Sequence, residues 1–206
     1  AIIDRSRSRL GVDCLDMVQF HWWNYAVPGW IEAAGWLREL QQAGKLELLS
    51  LTNFNSEKTG EFLRAGIPLA TTQVQYSLLD PRPEKALIPL CREHAVQLLC
   101  YGSLAGGFLS ERWLDQRAPE DFENRSLIKY LLMIEEIGGW DLFQSLLATL
   151  KGIAERHAVS IASVAARWVL DQPQVAAVII GARTAEHLER YAEIFRFELA
   201  GQDLEA

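Results

Sequence analysis

Leu15-Asp16-Met17-Val18-Gln19-Phe20-His21-Trp22-Trp23 is the stretch on which the reading of this chain turns. Its apolar residues form a short run between the Leu10–Asp13 turn region and Asn24 and Pro28, a length that suits a strand covered on both faces. Gln19 and His21 stand two apart, so on a strand they point to the same side. A polar pair on one face is unusual in a packed core and expected where a strand end opens into a site. His21 is thus either a core histidine satisfied by a neighbour or a site residue, and the stretch alone does not choose.

Outward from this strand the pattern repeats. Pro28 opens a helical stripe, Trp30, Ala33, Ala34, Leu37 and Leu40, that stops at Gly44. Leu46–Leu51 is the next strand, with a polar end at Thr52-Asn53, and Ser56 is placed to cap a short helix ending near Gly66. Leu69–Tyr76 reads as a third strand carrying Gln73. A helix follows over Leu87–Ala95, with Pro89 at a kink or in the first turn. Val96–Tyr101 is a fourth strand, running into Gly102-Ser103-Leu104-Ala105-Gly106-Gly107. Ser110–Asn124, charged and containing Pro119, reads as a long loop before a helix over Leu127–Ile137. Trp140–His157 and Ile161–Leu170 are amphipathic helices, the first directing Leu142, Leu146 and Ile153 to a core. Val175–Ile180 is the last strand, followed by Gly181-Ala182-Arg183-Thr184 and a helix over Ala185–Phe195.

Apolar strands separated by helix-length crossovers require a parallel sheet covered on both faces. In such folds ligands bind at the carboxyl edge of the strands, where His21, Asn53, Gln73, Tyr101-Gly102 and Gly181 recur. The first strand is not followed by the glycine-rich turn of a doubly wound sheet, so a barrel arrangement is favoured.

With 206 residues, half of them hydrophobic, the chain can bury one core, and residues 1–206 read as a single domain. A net charge of −7 without a basic block argues against nucleic acid. The apolar runs are too short to cross a bilayer, and no signal-peptide pattern opens the chain, so no membrane partner is expected. Three cysteines without metal-type spacing, two of them in apolar runs, fit buried thiols in a reducing compartment and a cytoplasmic location. Ala1–Leu10 reads as a helix entered part-way, with no capping residue before it. The expectation is that an upstream portion is missing.

Several segments together resemble the aldo-keto reductases, in the family's own order and along nearly the whole chain. Leu10–Trp22 is similar to that family's fourth strand with its histidine, and Leu51-Thr52-Asn53-Phe54 to the segment after strand five. Gln73-Val74-Gln75-Tyr76 resembles the end of strand six, Tyr101–Gly107 the strand-seven loop, and Ile180–Thr184 the strand-eight turn. The resemblance implies a (β/α)8 barrel of TIM type with only strands 4–8 and their helices in this chain, an incomplete barrel. It implies reduction of an aldehyde or ketone, a small-molecule carbonyl substrate, with NADP as cofactor and no metal. His21 would hydrogen-bond the substrate carbonyl oxygen, where charge develops as hydride arrives.

By the same resemblance Asn53 and Gln73 would bind the nicotinamide carboxamide and Tyr101 would stack on its ring. The backbone of Gly102, Leu104 and Gly106 would approach the diphosphate, Gly181 would belong to the cofactor-binding turn, and Arg183 and Thr184 would hold the adenosine 2′-phosphate. Trp22 and Trp23 would line the substrate pocket. Each of these also has a plain reading as a turn, cap or packing residue. Two departures stand out. Where the family carries a Glu-Asn pair that reads adenine, this chain has Arg190-Tyr191, which puts the choice between NADP and NAD in question. The strands that carry the family's aspartate, tyrosine and lysine precede its fourth and have no counterpart in these residues. Without the tyrosine's proton the chain alone should be nearly inactive, since general acid catalysis contributes about 10²–10⁴-fold. The alternative is a non-catalytic nucleotide-binding or scaffold module derived from a reductase. An open sheet edge at Leu15–Phe20 would favour a homodimer that closes the barrel.

Overall fold

A computed structural model describes residues 2–122, 125–182, 188 and 191–206, the side chain of Ser126 excepted. Five strands form one sheet in sequence order: β1 (Leu15–Phe20), β2 (Leu46–Thr52), β3 (Thr71–Gln75), β4 (Gln97–Tyr101) and β5 (Val175–Ile179). The pairs β1–β2 and β2–β3 are parallel. Helices α1 (Ile2–Leu10), α2 (Trp30–Gln42), α3 (Ser56–Arg64), α4 (Arg82–Glu93), α5 (Arg125–Ile137), α6 (Trp140–His157), α7 (Ile161–Leu170) and α8 (Gly201–Leu204) alternate with or follow the strands. The chain divides into two compact units, Ala1–Val74 with Pro83–Leu99, and Gln75–Arg82 with Cys100–Ala206.

In the first unit the sheet has two unlike faces, and register assigns them. Val18 lies beside Leu49, and Phe20 beside Leu51, which in turn lies beside Thr72. Leu49 and Leu51 are fully buried, with α2 packed over β2. Phe20, Phe54 and Phe62 close the end of this layer, the Phe54 and Phe62 rings meeting edge to face at 4.9 Å between centroids. On the opposite face Met17 pairs with Leu48, which is exposed, and Gln19 pairs with Ser50, which in turn pairs with Thr71. The expectation that β1 is covered on both faces is therefore corrected: Asp16 and Gln19 are exposed and, within the strand, only Leu15 is buried.

Local chemistry accounts for the element ends. Asn55, rather than Ser56, caps α3, its Oδ1 accepting the Lys58 N–H at 2.8 Å. Helix α4 begins at Arg82, five residues before the sequence pattern placed it, because Pro83 fits a first helical turn where no N–H is needed. Pro89 consequently lies inside the helix.

In the second unit Phe108 is the centre of the core, with Trp113 at 4.8 Å and Trp140 and Phe143 at 6.1 and 6.2 Å between ring centroids. Ile134, Leu147, Val164 and Ala165 complete it from α5, α6 and α7. Helix α6 turns Phe143, Leu147, Leu150 and Ile153 inward. Leu142, expected in the core, is instead 51% exposed. The inward stripe starts one residue later than the sequence pattern suggested. Glu111–Trp113 is a 3₁₀ turn within the long loop, and Ala192–Phe195 is another at the end of the expected final helix. The rest of that helix lies mostly outside the described residues. Cys91 and Cys100 are buried thiols, pushed up to about 12 by burial, whereas Cys14 is exposed.

The C-terminal helix is clasped to α6 by Asp203, whose side chain is buried. Its carboxylate accepts from Arg156 Nη2 at 2.5 Å and from the Ala200 N–H at 2.9 Å, and it meets His157 Nε2 at 2.8 Å. Arg156 first, then His157 and the Ala200 N–H, hold this carboxyl well below its ordinary value of 3.8. A depressed carboxylate stabilises the fold above the ordinary value, and that contribution is lost as pH falls through the folded value. Asp203→Asn is expected to destabilise by about 1–3 kcal/mol at pH 7. The loss should shrink in urea titrations run at successively lower pH below about 4. An unchanged difference across that range would separate the clasp from the charge.

Candidate functional site

In the first unit the polar face of the sheet ends in a row of side chains that register brings side by side. Gln19, Ser50 and Thr71 stand in one cross-strand line, with Ser50 Oγ and Thr71 Oγ1 2.5 Å apart. One step towards the carboxyl ends, Thr52 is paired with Gln73. His21 follows Gln19 by two residues, immediately beyond the end of β1. Sequence reasoning singled out His21 and Gln73, read Thr52 only as part of a polar strand end, and missed Ser50 and Thr71. The signal was present as polar residues at i and i+2 at the ends of three successive strands.

Asn53 continues β2 with φ 60°, a left-handed conformation that asparagine tolerates. Its N–H donates to the Gln73 carbonyl at 2.9 Å, and its own carbonyl accepts from Tyr25 Oη at 3.2 Å. Both backbone groups are thus used to fix the turn, and the residue is exposed. His21 is also exposed, its ring 5.1 Å from that of Trp23 in edge-to-face contact. Trp23 is 92% exposed. Trp22 differs: its indole N–H donates to the Asn24 and Val27 carbonyls at 3.1 and 3.0 Å, which makes it a strut for its own loop.

In the second unit Tyr101 ends β4, and its carbonyl accepts the Tyr76 N–H at 3.1 Å. The loop after it turns tightly. Gly102, Ala105, Gly106 and Gly107 all have positive φ, and the Ala105 N–H closes on the Gly102 carbonyl at 2.8 Å. Ser103 is buried with its hydroxyl on the Cys100 carbonyl, and Leu104 packs on the core. A Cβ on Gly102 would come within 2.6 Å of Tyr130 Oη, and one on Gly106 within 2.7 Å of the Tyr130 ring. These two glycines make room for Tyr130. At Gly107 and Gly181 nothing among the described residues lies within 4 Å of such a Cβ, so the main chain there is open to close approach from their side.

Below this loop, buried Asp80 accepts from Arg82 Nε at 2.5 Å and Nη2 at 2.8 Å, and from Gln75 Nε2 at 2.7 Å. Gln75 Oε1 in turn accepts from Lys129 Nζ at 2.6 Å. Burial pulls the Lys129 ammonium below its ordinary value, Asp80 and Arg82 acting on it with opposite signs. Burial raises the Tyr130 hydroxyl. Gly181 follows β5 and is exposed, and its carbonyl is held by Tyr191 Oη. Tyr191, half of the Arg190-Tyr191 departure from the resembled pattern, therefore anchors the strand-end turn. Arg183, Thr184 and Arg190 lie outside the described residues.

A family model described as the aldo/keto reductase family matches residues 1–206, the whole chain. The chain belongs to the aldo/keto reductase family. Aldo-keto reductase YhdN of Bacillus subtilis is 30% identical over 98% of this chain and 59% of its own length. The NADH-specific methylglyoxal reductase of Escherichia coli is 26% identical over 96% of this chain and 59% of its own length. Among solved structures, the glycerol dehydrogenase AKR11B4 from Gluconobacter oxydans superposes with a TM-score of 0.82 at 26% identity, covering 99% of this chain and 60% of that one. The chain thus spans about three fifths of the length of the relatives it matches. Aldo/keto reductases are oxidoreductases that use nicotinamide cofactors on small carbonyl compounds. No helix among the described residues is long and apolar enough to cross a membrane.

Proposed function

We propose that this chain is the cofactor-binding, histidine-bearing part of an NADPH-dependent reductase of aldehydes or ketones. Its five strands correspond to strands 4–8 of a (β/α)8 barrel, and residues 1–206 act as one domain. The observation that carries the proposal is the polar row at the carboxyl ends of β1, β2 and β3, from Gln19 through Ser50, Thr52, Thr71 and Gln73. Polar side chains at that edge of a parallel sheet are the ordinary place for a ligand.

The donor set suits a nicotinamide dinucleotide. The amides of Asn53 and Gln73 each offer both a donor and an acceptor, which a carboxamide requires. Tyr101 offers an aromatic face for a flat heterocycle. The turned-in loop from Gly102 through Leu104 and Gly106, with an open main chain at Gly107, suits a diphosphate, as does the open main chain at Gly181. Arg183 and Thr184 would meet the 2′-phosphate, which favours NADPH over NADH even though one relative's name specifies NADH. When bound, the reduced nicotinamide supplies the hydride.

His21 donates a hydrogen bond to the substrate carbonyl oxygen and holds the negative charge that grows there. The Tyr25 hydroxyl and the Gln73 carbonyl keep the Asn53 peptide fixed, so that its amide does not have to reorder on binding. Trp23, exposed beside His21, shields the carbonyl from water, with Trp22 bracing the loop from below. The protein works in the cytoplasm on a small-molecule carbonyl compound, with no nucleic-acid or membrane partner.

The test is a fluorescence titration of the chain with NADPH, followed by turnover on a panel of aldehydes and ketones. Saturable binding is expected, weakened about tenfold in Gln73→Ala, the equivalent of one lost hydrogen bond to a polar ligand. Turnover should be slow and should fall by about 10²-fold in His21→Ala at unchanged NADPH affinity. Binding with no turnover on any carbonyl would instead support a non-catalytic nucleotide-binding or scaffold module. No binding at all would remove both readings.

A further inference from the structure

Lys129 has no part in the reaction scheme above, yet it is held in place by a relay of three other side chains. Arg82 and Gln75 share the buried carboxylate of Asp80. With its amide nitrogen committed to Asp80, Gln75 must turn its oxygen the other way, and that oxygen receives Lys129 Nζ at 2.6 Å. The ammonium is thereby set 4.4 Å from the centroid of the Tyr130 ring and 5.8 Å from that of Tyr101. Arg82 answers the charge of Asp80, while the hydrogen-bond acceptor of Lys129 is a neutral amide oxygen. A lysine paired to a carboxylate would present little field to a neighbour. This one keeps its positive charge against two aromatic faces, to which it is attracted by their quadrupoles.

We infer that Lys129 discriminates between the two redox forms of a nicotinamide stacked on Tyr101, disfavouring the oxidised ring and so keeping the site loaded with the hydride-donating form. The inference rests on the reading of Tyr101 as the stacking platform. Its chemical basis is a difference of one charge: the reduced ring is neutral, and the oxidised ring, having given up a hydride, carries +1. Stacking adds about 3.5 Å to the separation, which leaves the two cations roughly 7–9 Å apart. At that distance, in surroundings between water and protein surface, their repulsion amounts to roughly a three- to tenfold difference in affinity. The rest of the cofactor is common to both forms, so the effect falls on their ratio and not on binding as such. A site biased in this way releases spent cofactor faster than it releases the fresh one, and favours reduction over the reverse oxidation.

The experiment is a pair of titrations, NADPH and NADP⁺, on the wild-type chain and on Lys129→Gln, Lys129→Arg and Tyr101→Ala. Lys129→Gln should lower the ratio of the NADP⁺ to the NADPH dissociation constant by roughly three- to tenfold, chiefly by tightening NADP⁺. Lys129→Arg should restore the wild-type ratio. Raising the salt concentration should shrink the ratio in the wild type and leave it unchanged in Lys129→Gln. An equal loss of affinity for both forms in Lys129→Gln would make the lysine a phosphate contact and overturn the inference. So would an unchanged ratio, while leaving the platform reading standing. Unchanged affinities for both forms in Tyr101→Ala would remove the platform, and the inference with it.

Discussion

Replacing Phe62 by alanine should destabilise the first unit by about 3–5 kcal/mol. Phe62 is fully buried on α3, and its ring stands edge to face with both Phe54, at 4.9 Å, and Phe20, at 6.0 Å. Removing it deletes buried apolar surface and leaves a cavity that two rigid rings cannot close by a small shift. Urea unfolding is the measurement, with a midpoint lowered by roughly 1–2 M for an ordinary dependence of stability on denaturant. Phe195 supplies the control. It is 72% exposed, and its replacement by alanine should change stability by less than about 0.5 kcal/mol. The site should feel the first change as well. Phe20 immediately precedes His21 and Phe54 immediately follows Asn53, so loosening the ring cluster loosens the two strand ends. NADPH affinity should weaken in Phe62→Ala even under conditions where the chain remains folded. Retained affinity would mean that the strand ends are held by their backbone bonds alone.

Gly102→Ala should cost about 2–4 kcal/mol in the second unit. Two effects add. The residue sits at φ 68°, where a side chain is strained by roughly 1 kcal/mol or more. The new methyl would also meet Tyr130 Oη at 2.6 Å and Gln75 Cγ at 3.1 Å. The overlap separates itself from the backbone strain by a second substitution. Tyr130→Phe in the Gly102→Ala background removes the clashing oxygen and should recover part of the loss, whereas Tyr130→Phe alone should not stabilise the chain. Gly107→Ala is the comparison for strain without contact, since φ is 97° there and nothing among the described residues lies within 4 Å of the added carbon. It should cost less than Gly102→Ala in the same urea titration. Equal costs at the two positions would show that Tyr130 moves aside freely.

The helices α6 and α7 could be read from the sequence to their last residues because their signals are local. Ser160 caps α7 and accepts the Ser163 N–H at 3.1 Å, while Gly139 precedes α6 and Ala158 ends it. Helix α4 was misplaced because Pro89 dominates its pattern, and the first turn offers only exposed Arg82 and the buried ring of Pro83 before the apolar stripe resumes at Leu87. Leu142 was assigned inward because its helical spacing to Leu146 is sound. Which of two adjacent stripes faces the core is decided by the partner, and Phe143 fits against Phe108 and Trp140 where Leu142 would not.

What the sequence determined by itself is the alternation of apolar strands and helices, the parallel sheet this demands, the order of the strands and the family. Run length, hydrophobic period and short motifs are properties of neighbouring residues, and they survive in one dimension. Only the tertiary structure decided which side chains meet. It joined Gln19, Ser50 and Thr71 into one row by strand register, and it showed that Gly102 and Gly106 accommodate Tyr130. It also set Lys129 over Tyr101 through Gln75 and Asp80, across 54 residues of chain from Gln75. Contacts of that kind depend on the geometry of closure, and no local pattern carries it.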